Sequence, residues 1–506
     1  VSAGQELVTT AADYLDYALE QPETQVVGLF LETVRDPAKF QRALEKAAER
    51  EIPVVALKVG RTEASAALAM SHSGAIAGND AAYQALFGRY GVLRVSNVDE
   101  LGATLLFFQQ GRRARSGGLA AIHDSGGERE MVIDLAEDQR VPFARIGPET
   151  AAKLKSRLEF GLEPINPLDA WGTGRDFVDI FADCFTALME DADTGLGIFF
   201  NDIRDPSYLS AGFSEVCRRV VATTDKPLAL VTNYSQVRHD QLALALTEAG
   251  VPVLDGTVPG LQAAGHLLAH RDFLARRADP PPAVQPRRDW RKILSGRQGV
   301  LSEAEAFELL ADFGIPTVPA AIVESAAAAL AAAERIGFPA VLKTAMPGIL
   351  HKTEVGGVKL HLSDAAAITA AYDDLATRLG PRVLVTRMAP SGTELALGLI
   401  DDRQFGPVVM VAAGGILVEL LRDARYGLAP FGPSTARRLI DGLAARKLLD
   451  GVRGAPPADL AALAETIARF SVMTATLGDT VKEIDINPLI VGAAGAVAVD
   501  ALVVLP

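Results

Sequence analysis

Cysteine, positive charge and long apolar runs are all in short supply in this chain, and each shortage excludes something. Only two of 506 residues are cysteines. Cys184 and Cys217 each fall in a helix-like segment with no paired spacing, which excludes a disulfide scaffold and a zinc or thiol-redox motif. Both read as small core residues in a reducing, cytoplasmic setting. Acids outnumber Lys and Arg by 63 to 49, for a net charge of −14. Such a balance repels a polyanion on average, so no nucleic acid is expected as a partner. No uninterrupted apolar run reaches the ~18 residues of a membrane span, and no basic-then-apolar signal opens the chain, so no membrane association is expected. The first residue is Val1 rather than methionine, which points to a piece of a longer chain or to an upstream segment removed.

What is present is an ordinary globular composition, 49% hydrophobic and 22% charged, at a length that suggests about three domains. Residues 1–112 alternate helix-like and strand-like segments: a helix over 11–19, a buried strand over 26–31, a helix over 37–50 and a strand over 54–57. A second block, 113–272, repeats the pattern, with strands over 118–122, 196–200 and 228–232. Alternation of this kind predicts α/β domains built on parallel sheets with helices on both faces. Residues 273–298 carry Asp279-Pro280-Pro281-Pro282, Pro286 and Arg287-Arg288, and read as a semi-extended linker. From 299 to 506 the pattern changes to α+β, opening on a capping box, Ser302 with Glu305.

The stretch Ser71-His72-Ser73-Gly74-Ala75-Ile76-Ala77-Gly78 sets a histidine among small residues just before a helix over 81–90. Small neighbours let an incoming group reach the ring, and a helix start attracts anions. A neutral imidazole is nucleophilic near pH 7, so His72 is a candidate phosphoryl acceptor. Glu32, Lys58 and His72 all follow strand ends, where a parallel sheet gathers functional groups; a carboxylate there would fix the imidazole tautomer. In the second block Ser125-Gly126-Gly127 stands between a strand and a helix and offers a second anion-binding helix start. Asn166-Pro167-Leu168-Asp169 forms a polar loop further on.

In the last block Lys343 ends a strand over 340–343 and is followed by the basic, glycine-containing loop Gly348 to Val358, which includes His351 and Lys352. Lysines neutralise phosphate oxygens and glycines admit close backbone approach, so this arrangement suits a nucleoside triphosphate. The strand Leu384 to Met388, with Val385 and Met388 in it, could pass an adenine edge. Glu394 opens another strand, and Gly414-Gly415 precedes Val418-Glu419. Asn487, in Glu483-Ile484-Asp485-Ile486-Asn487-Pro488, and Asp500 read as hard oxygen donors on neighbouring strands, as Mg²⁺ requires.

This ordered set resembles the ADP-forming acyl-CoA synthetases, the superfamily that includes succinyl-CoA synthetase, over nearly the whole chain. The resemblance implies two flavodoxin-like, succinyl-CoA synthetase-like domains followed by an ATP-grasp domain. By its motifs His72 with Gly74 belongs to the phosphohistidine segment, Glu32 holds that histidine, and Ser125, Gly126 and Gly127 form a second phosphate-binding helix start. Lys343 and Lys352 would contact phosphates of ATP; Glu394, Val385, Met388, Gly414 and Gly415 would belong to the nucleotide site; Asn487 and Asp500 would hold Mg²⁺. His351 takes the place of a second histidine that ferries the phosphoryl group. Three departures stand out: Ser73 for the usual threonine, His123-Asp124 where Thr-Asn is commoner, and Arg387 where glutamine or glutamate is common.

The implied reaction joins a small carboxylic acid to coenzyme A with ATP cleaved to ADP and phosphate, in a homo-oligomer. A CoA-binding domain is expected upstream or on a partner chain. The alternative is a catalytically inactive module that senses nucleotide and acyl-CoA within a larger protein.

Overall fold

The computed structural model describes the chain except residues 2, 3, 5, 7, 63, 66–78, 205, 206, 236–239, 277, 278, 350, 351, 416–422 and 453. The described chain divides into two units, one built of 1–77 and 90–277, the other of 78–89 and 278–506.

In the first unit β1 (Val27–Leu31), β2 (Val54–Lys58) and β3 (Leu93–Val95) form a parallel sheet in that order. Every residue of β2 is buried, as expected for a strand covered on both faces. The helix Pro37–Glu49 that joins β1 to β2 starts where Asp36 accepts from the Lys39 backbone N–H and Pro37 presets the first turn, and it buries Phe40, Ala43, Leu44 and Ala47 along one face. A second parallel sheet holds β4 (Gly118–His123), β5 (Leu168–Asp169), β6 (Thr194–Phe200), β7 (Leu228–Thr232) and β8 (Val253–Asp255) in the order β5-β4-β6-β7-β8. One apolar cluster joins the two sheets: Val55, Leu57 and Val95 share it with Ala121, Ile198, Phe200 and Val231. The carboxyl ends of β1 and β2 lie side by side, since Leu31 pairs with Lys58.

The second unit contains β9 (Gly299–Val300), β10 (Ala320–Val323), β11 (Ala340–Thr344), β12 (Val358–Leu362), β13 (Val383–Arg387), β14 (Thr393–Asp402), β15 (Gly406–Ala413), β16 (Ala424–Leu428), β17 (Glu483–Gly492), β18 (Gly495–Ala498) and β19 (Leu502–Leu505). They make two antiparallel sheets. The smaller, β10-β13-β11-β12, closes a core with the helices Ala326–Ile336 and Ala365–Leu379. The larger runs β16-β15-β14-β17-β19-β9, with β18 paired to β17. The helices Glu303–Asp312 and Leu460–Leu477 contribute to its core.

Two features depart from the sequence reading, and a third bears on it. The helix Asp80–Tyr90 follows the His72 segment in sequence, yet it packs in the second unit: the Tyr83 ring stands edge-on to Phe405 at 5.0 Å, and Arg89 donates to the carbonyls of Leu428 and Pro430 at 3.2 and 2.9 Å. The proline-rich stretch is tied down rather than extended through solvent. Asp279 accepts from the Ser434 and Thr435 backbone N–H groups and so caps the helix Pro433–Asp441, and Asp312 accepts from Arg287 N, Arg288 N and the Trp290 indole. Lastly, Leu460–Thr480 is long and apolar enough to cross a membrane by length and composition, with mean hydropathy 1.3. Its unbroken apolar character is interrupted by Glu465 and Arg469, and Leu463, Ile467, Phe470, Met473 and Leu477 fill the core.

Candidate functional site

The polar centre of the second unit is built on the end of β11. Lys343, one residue before the strand ends, is buried and donates to Glu303 Oε1 at 2.7 Å and to the Val499 carbonyl at 2.6 Å; Asp500 Oδ2 lies 3.3 Å away. Lys352, on the loop between β11 and β12, donates to the other oxygen of the same carboxylate, Glu303 Oε2, at 2.7 Å, with Asp500 Oδ1 at 3.6 Å. The loop is held by its own backbone, Gly357 N to Lys352 O, and by Arg378, which donates to the carbonyls of Val355 and Gly356. Burial works against the Lys352 charge, but Glu303 and Asp500 beside it outweigh that cost and raise its pKa above the usual lysine range. The two lysines singled out from the sequence thus meet on one carboxylate that sequence reading left aside. A signal was available: the S-x-x-E box needs only Glu305, which leaves Glu303 as a surplus acid in the first turn.

Beside this cluster stand the oxygen donors. A register shift between β14 and β17, where Leu395 pairs Leu489 but Leu397 pairs Ile486, falls at Asn487; bulges of this kind re-aim side chains. Asn487 Oδ1 accepts from the Gly415 backbone N–H at 3.4 Å, and Gly414 N donates to the Glu394 carbonyl at 2.8 Å. Gly415 has φ +60°, a conformation that favours glycine, and a Cβ there would fall 2.3 Å from Glu394 Oε2 and displace that carboxylate. Glu394, Gly414, Gly415 and Asn487 therefore form one constellation. Asp500 corrects the expectation of two neighbouring strands: it lies in the connection between β18 and β19. Asp485, which the sequence reading did not single out, is pushed up to about 6 by burial and then by the Glu483 and Asp500 carboxylates. Asn487 and Asp500 are by type the oxygen donors that a hard divalent cation such as Mg²⁺ takes. Among the described residues no group of three or more acids, histidines or cysteines forms a complete cage on its own.

Arg387, Met388, Glu394 and Gly414 line one cleft of this unit. Val385 is corrected from a nucleotide contact to a core residue. It is fully buried in the small-sheet core, and its backbone is paired on both sides, with Ala321 and with Leu342.

In the first unit Glu32 follows β1 directly and is half-buried next to the end of β2, where the buried Lys58 ammonium donates to the Val59 carbonyl. Ser125 caps the helix Gly126–Asp138, its hydroxyl accepting from Glu128 N at 3.4 Å; Gly126 approaches Asp169, whose Oδ2 would lie 3.2 Å from an added Cβ. Carboxylates surround this helix start. Asp124 accepts from Asn201 Nδ2 and Glu128 from Asn233 Nδ2, both at 2.8 Å, and Asp202 accepts from Asn233 N. Burial raises the Asp124 pKa, and Asp202 and Asp169 add to it; burial likewise raises Glu128, with Asp124 and Asp202 adding. His123 is fully buried, its ring stacked on Phe200 at 5.0 Å, with no partner for either nitrogen among the described residues; burial holds it neutral, its pKa pushed down to about 3. Asn166 is a structural residue: its amide bridges Leu119 O, Ala144 O and Ala121 N, all at 2.9 Å. His72 and Gly74, and His351 in the second unit, lie outside the described residues.

Two protein families match parts of the chain. Residues 292–505 match the ATP-grasp domain family and residues 1–108 the succinyl-CoA ligase like flavodoxin domain. The chain is 31% identical to acetate–CoA ligase [ADP-forming] I of Archaeoglobus fulgidus, over 100% of this chain and 73% of that protein. It is 27% identical to 4-hydroxybutyrate–CoA ligase [ADP-forming] of Nitrosopumilus maritimus, over 97% of this chain and 72% of that protein. Among solved structures, the dinucleotide forming acetyl-coenzyme A synthetase 1 of Ca. Korarchaeum cryptofilum, in complex with coenzyme A and Mg-AMPPCP, is 35% identical over 43% of this chain and 97% of that chain, with a TM-score of 0.39. The chain belongs to the ADP-forming acyl-CoA synthetases and is an acid–CoA ligase of the ADP-forming type. ATP, Mg²⁺ and coenzyme A fit that family as co-substrates and metal.

Proposed function

We propose that this chain activates a small carboxylic acid through a phosphohistidine. The γ-phosphoryl group of ATP, bound in 299–506, passes by way of His351 to His72, the bond to ADP breaking as the bond to the imidazole nitrogen forms. Lys343 and Lys352 neutralise phosphate oxygens; Asn487 and Asp500 would hold Mg²⁺, which would add charge neutralisation there. Glu32 braces the His72 ring, and the helix start at Ser125, Gly126 and Gly127 receives the phosphoryl group. The carboxylate of the substrate acid then attacks phosphorus to give an acyl phosphate, releasing the imidazole. The CoA thiol displaces phosphate from that acyl carbon. Positioning and charge neutralisation carry most of such a reaction.

The observation that most supports this reading is the meeting of Lys343 and Lys352 at Glu303 and Asp500, since it gathers two cations and a metal-type acid where a polyphosphate would lie. The CoA-binding part of the reaction is assigned to a domain upstream or on a partner chain; related enzymes occur as separate alpha and beta subunits. A cytoplasmic homo-oligomer completes the proposal. Incubation with γ-labelled ATP tests it: the chain acquires acid-labile, base-stable label, and His72→Ala does not. Absence of label on the intact wild-type chain would reject the relay.

A further inference from the structure

An ammonium group has three N–H donors, and Lys343 uses two of them in hydrogen bonds, to Glu303 Oε1 at 2.7 Å and to the Val499 carbonyl at 2.6 Å, with Asp500 Oδ2 at ion-pair distance, 3.3 Å. A phosphate oxygen approaching this lysine competes with the acceptor held least closely. The Val499 carbonyl is main chain, in a residue whose N–H is bound to Pro488 O. Glu303 is rooted in the first turn of the helix Glu303–Asp312, a start fixed by the Ser302–Glu305 box, and its side chain is 6% exposed. Asp500 makes the longer contacts to both lysines, is 33% exposed and lies in the connection between β18 and β19. Asp500 is therefore the group that yields.

Charge shows why Glu303 has to stay. Two ammonium groups face two carboxylates, so the buried cluster is neutral. When Asp500 turns to a metal ion the cluster becomes +1, which suits an arriving phosphate. Without Glu303 the same step would leave two buried ammonium groups with no anion, a costly state in a low-dielectric setting. Asp500 would then stay with the lysines, and the metal would have to compete for it.

We propose that Glu303 is a positioning residue: by compensating Lys343 and Lys352 from one side, it releases Asp500 to the metal–nucleotide complex. This assignment rests on the nucleotide-site reading given above. The positive end of the helix dipole favours the Glu303 carboxylate where it stands, and its two oxygens set the two Nζ atoms on either side of one anion.

Calorimetric titration of the full chain with ADP, at graded Mg²⁺ and in EDTA, tests the role. Glu303→Gln raises the half-saturating Mg²⁺ for ADP binding about tenfold, while ADP binding in EDTA changes by less than about twofold. Glu303→Asp, with a shorter reach, falls between the two. A role confined to folding would lower the melting temperature without moving the Mg²⁺ dependence. A folded Glu303→Gln with wild-type Mg²⁺ dependence overturns the assignment; should that variant not fold, the same result in Glu303→Asp does so. A wild-type chain that takes up no MgADP overturns the nucleotide-site reading, and this assignment with it.

Discussion

In the second unit the carboxylates of Glu303 and Asp500 stand against two ammonium groups at 2.7 to 3.6 Å, whereas at the sheet ends of the first unit Asp124 and Glu128 accept from the neutral amides of Asn201 and Asn233. Both arrangements satisfy lone pairs, but only the first cancels charge. The outcome differs accordingly. Lys352 keeps its proton more firmly than an ordinary lysine, while Asp124 and Glu128 are less readily ionised than ordinary acids. Hydrogen bonding alone thus does not make a buried charge comfortable; an opposite charge does.

The contrast can be broken most strongly at Lys343. Lys343→Met leaves Glu303 buried with one cation fewer, and removing one partner of a buried pair costs about 3–5 kcal/mol. The expected outcome is at least about a hundredfold weaker MgADP binding by calorimetry, together with a lower melting temperature.

A smaller effect of opposite sign is expected at Asp124. Its folded pKa lies above the ordinary carboxylate value, so its contribution to stability is fully present below the unfolded pKa and is lost as pH rises through the folded one. Asp124→Asn removes that loss. The variant should melt higher than wild type at pH 7, by on the order of 2–4 °C, with the gap closing towards pH 3 in a calorimetric pH series. A gap that does not depend on pH would mean the carboxyl is not the strained group.

The smallest change is Ser302→Ala, which removes the cap at the helix start next to Glu303. A loss of about 1 kcal/mol in denaturant unfolding is expected.

Local chemistry was legible in the sequence and long-range closure was not. The capping box at Ser302 and Glu305, the buried strands β6 and β7, and the strand end at Lys343 all announce themselves within a few residues. Glu303 did not, because its meeting with Lys343 joins residues 40 positions apart, and an acid in a first helical turn is common for local reasons. Asp279 and Asp312 escaped notice similarly. Each caps backbone supplied by a distant segment, so proline content alone suggested a looser linker than the one that forms. Val385 was misread because an apolar strand next to a cleft carries no mark of which face turns inward. The His72 segment, the most legible stretch in sequence, lies outside the described residues, so its role rests on the labelling experiment.

The Asn166 amide has a consequence for solubility. β5 pairs with only the last two residues of β4, and beside the remainder Asn166 occupies Leu119 O and Ala121 N while the stretch 142–144 bonds to Leu119. A strand flank already occupied in this way offers no ladder to a foreign strand. Asn166 and the 142–144 backbone together close that flank of β4 to pairing with a neighbouring molecule.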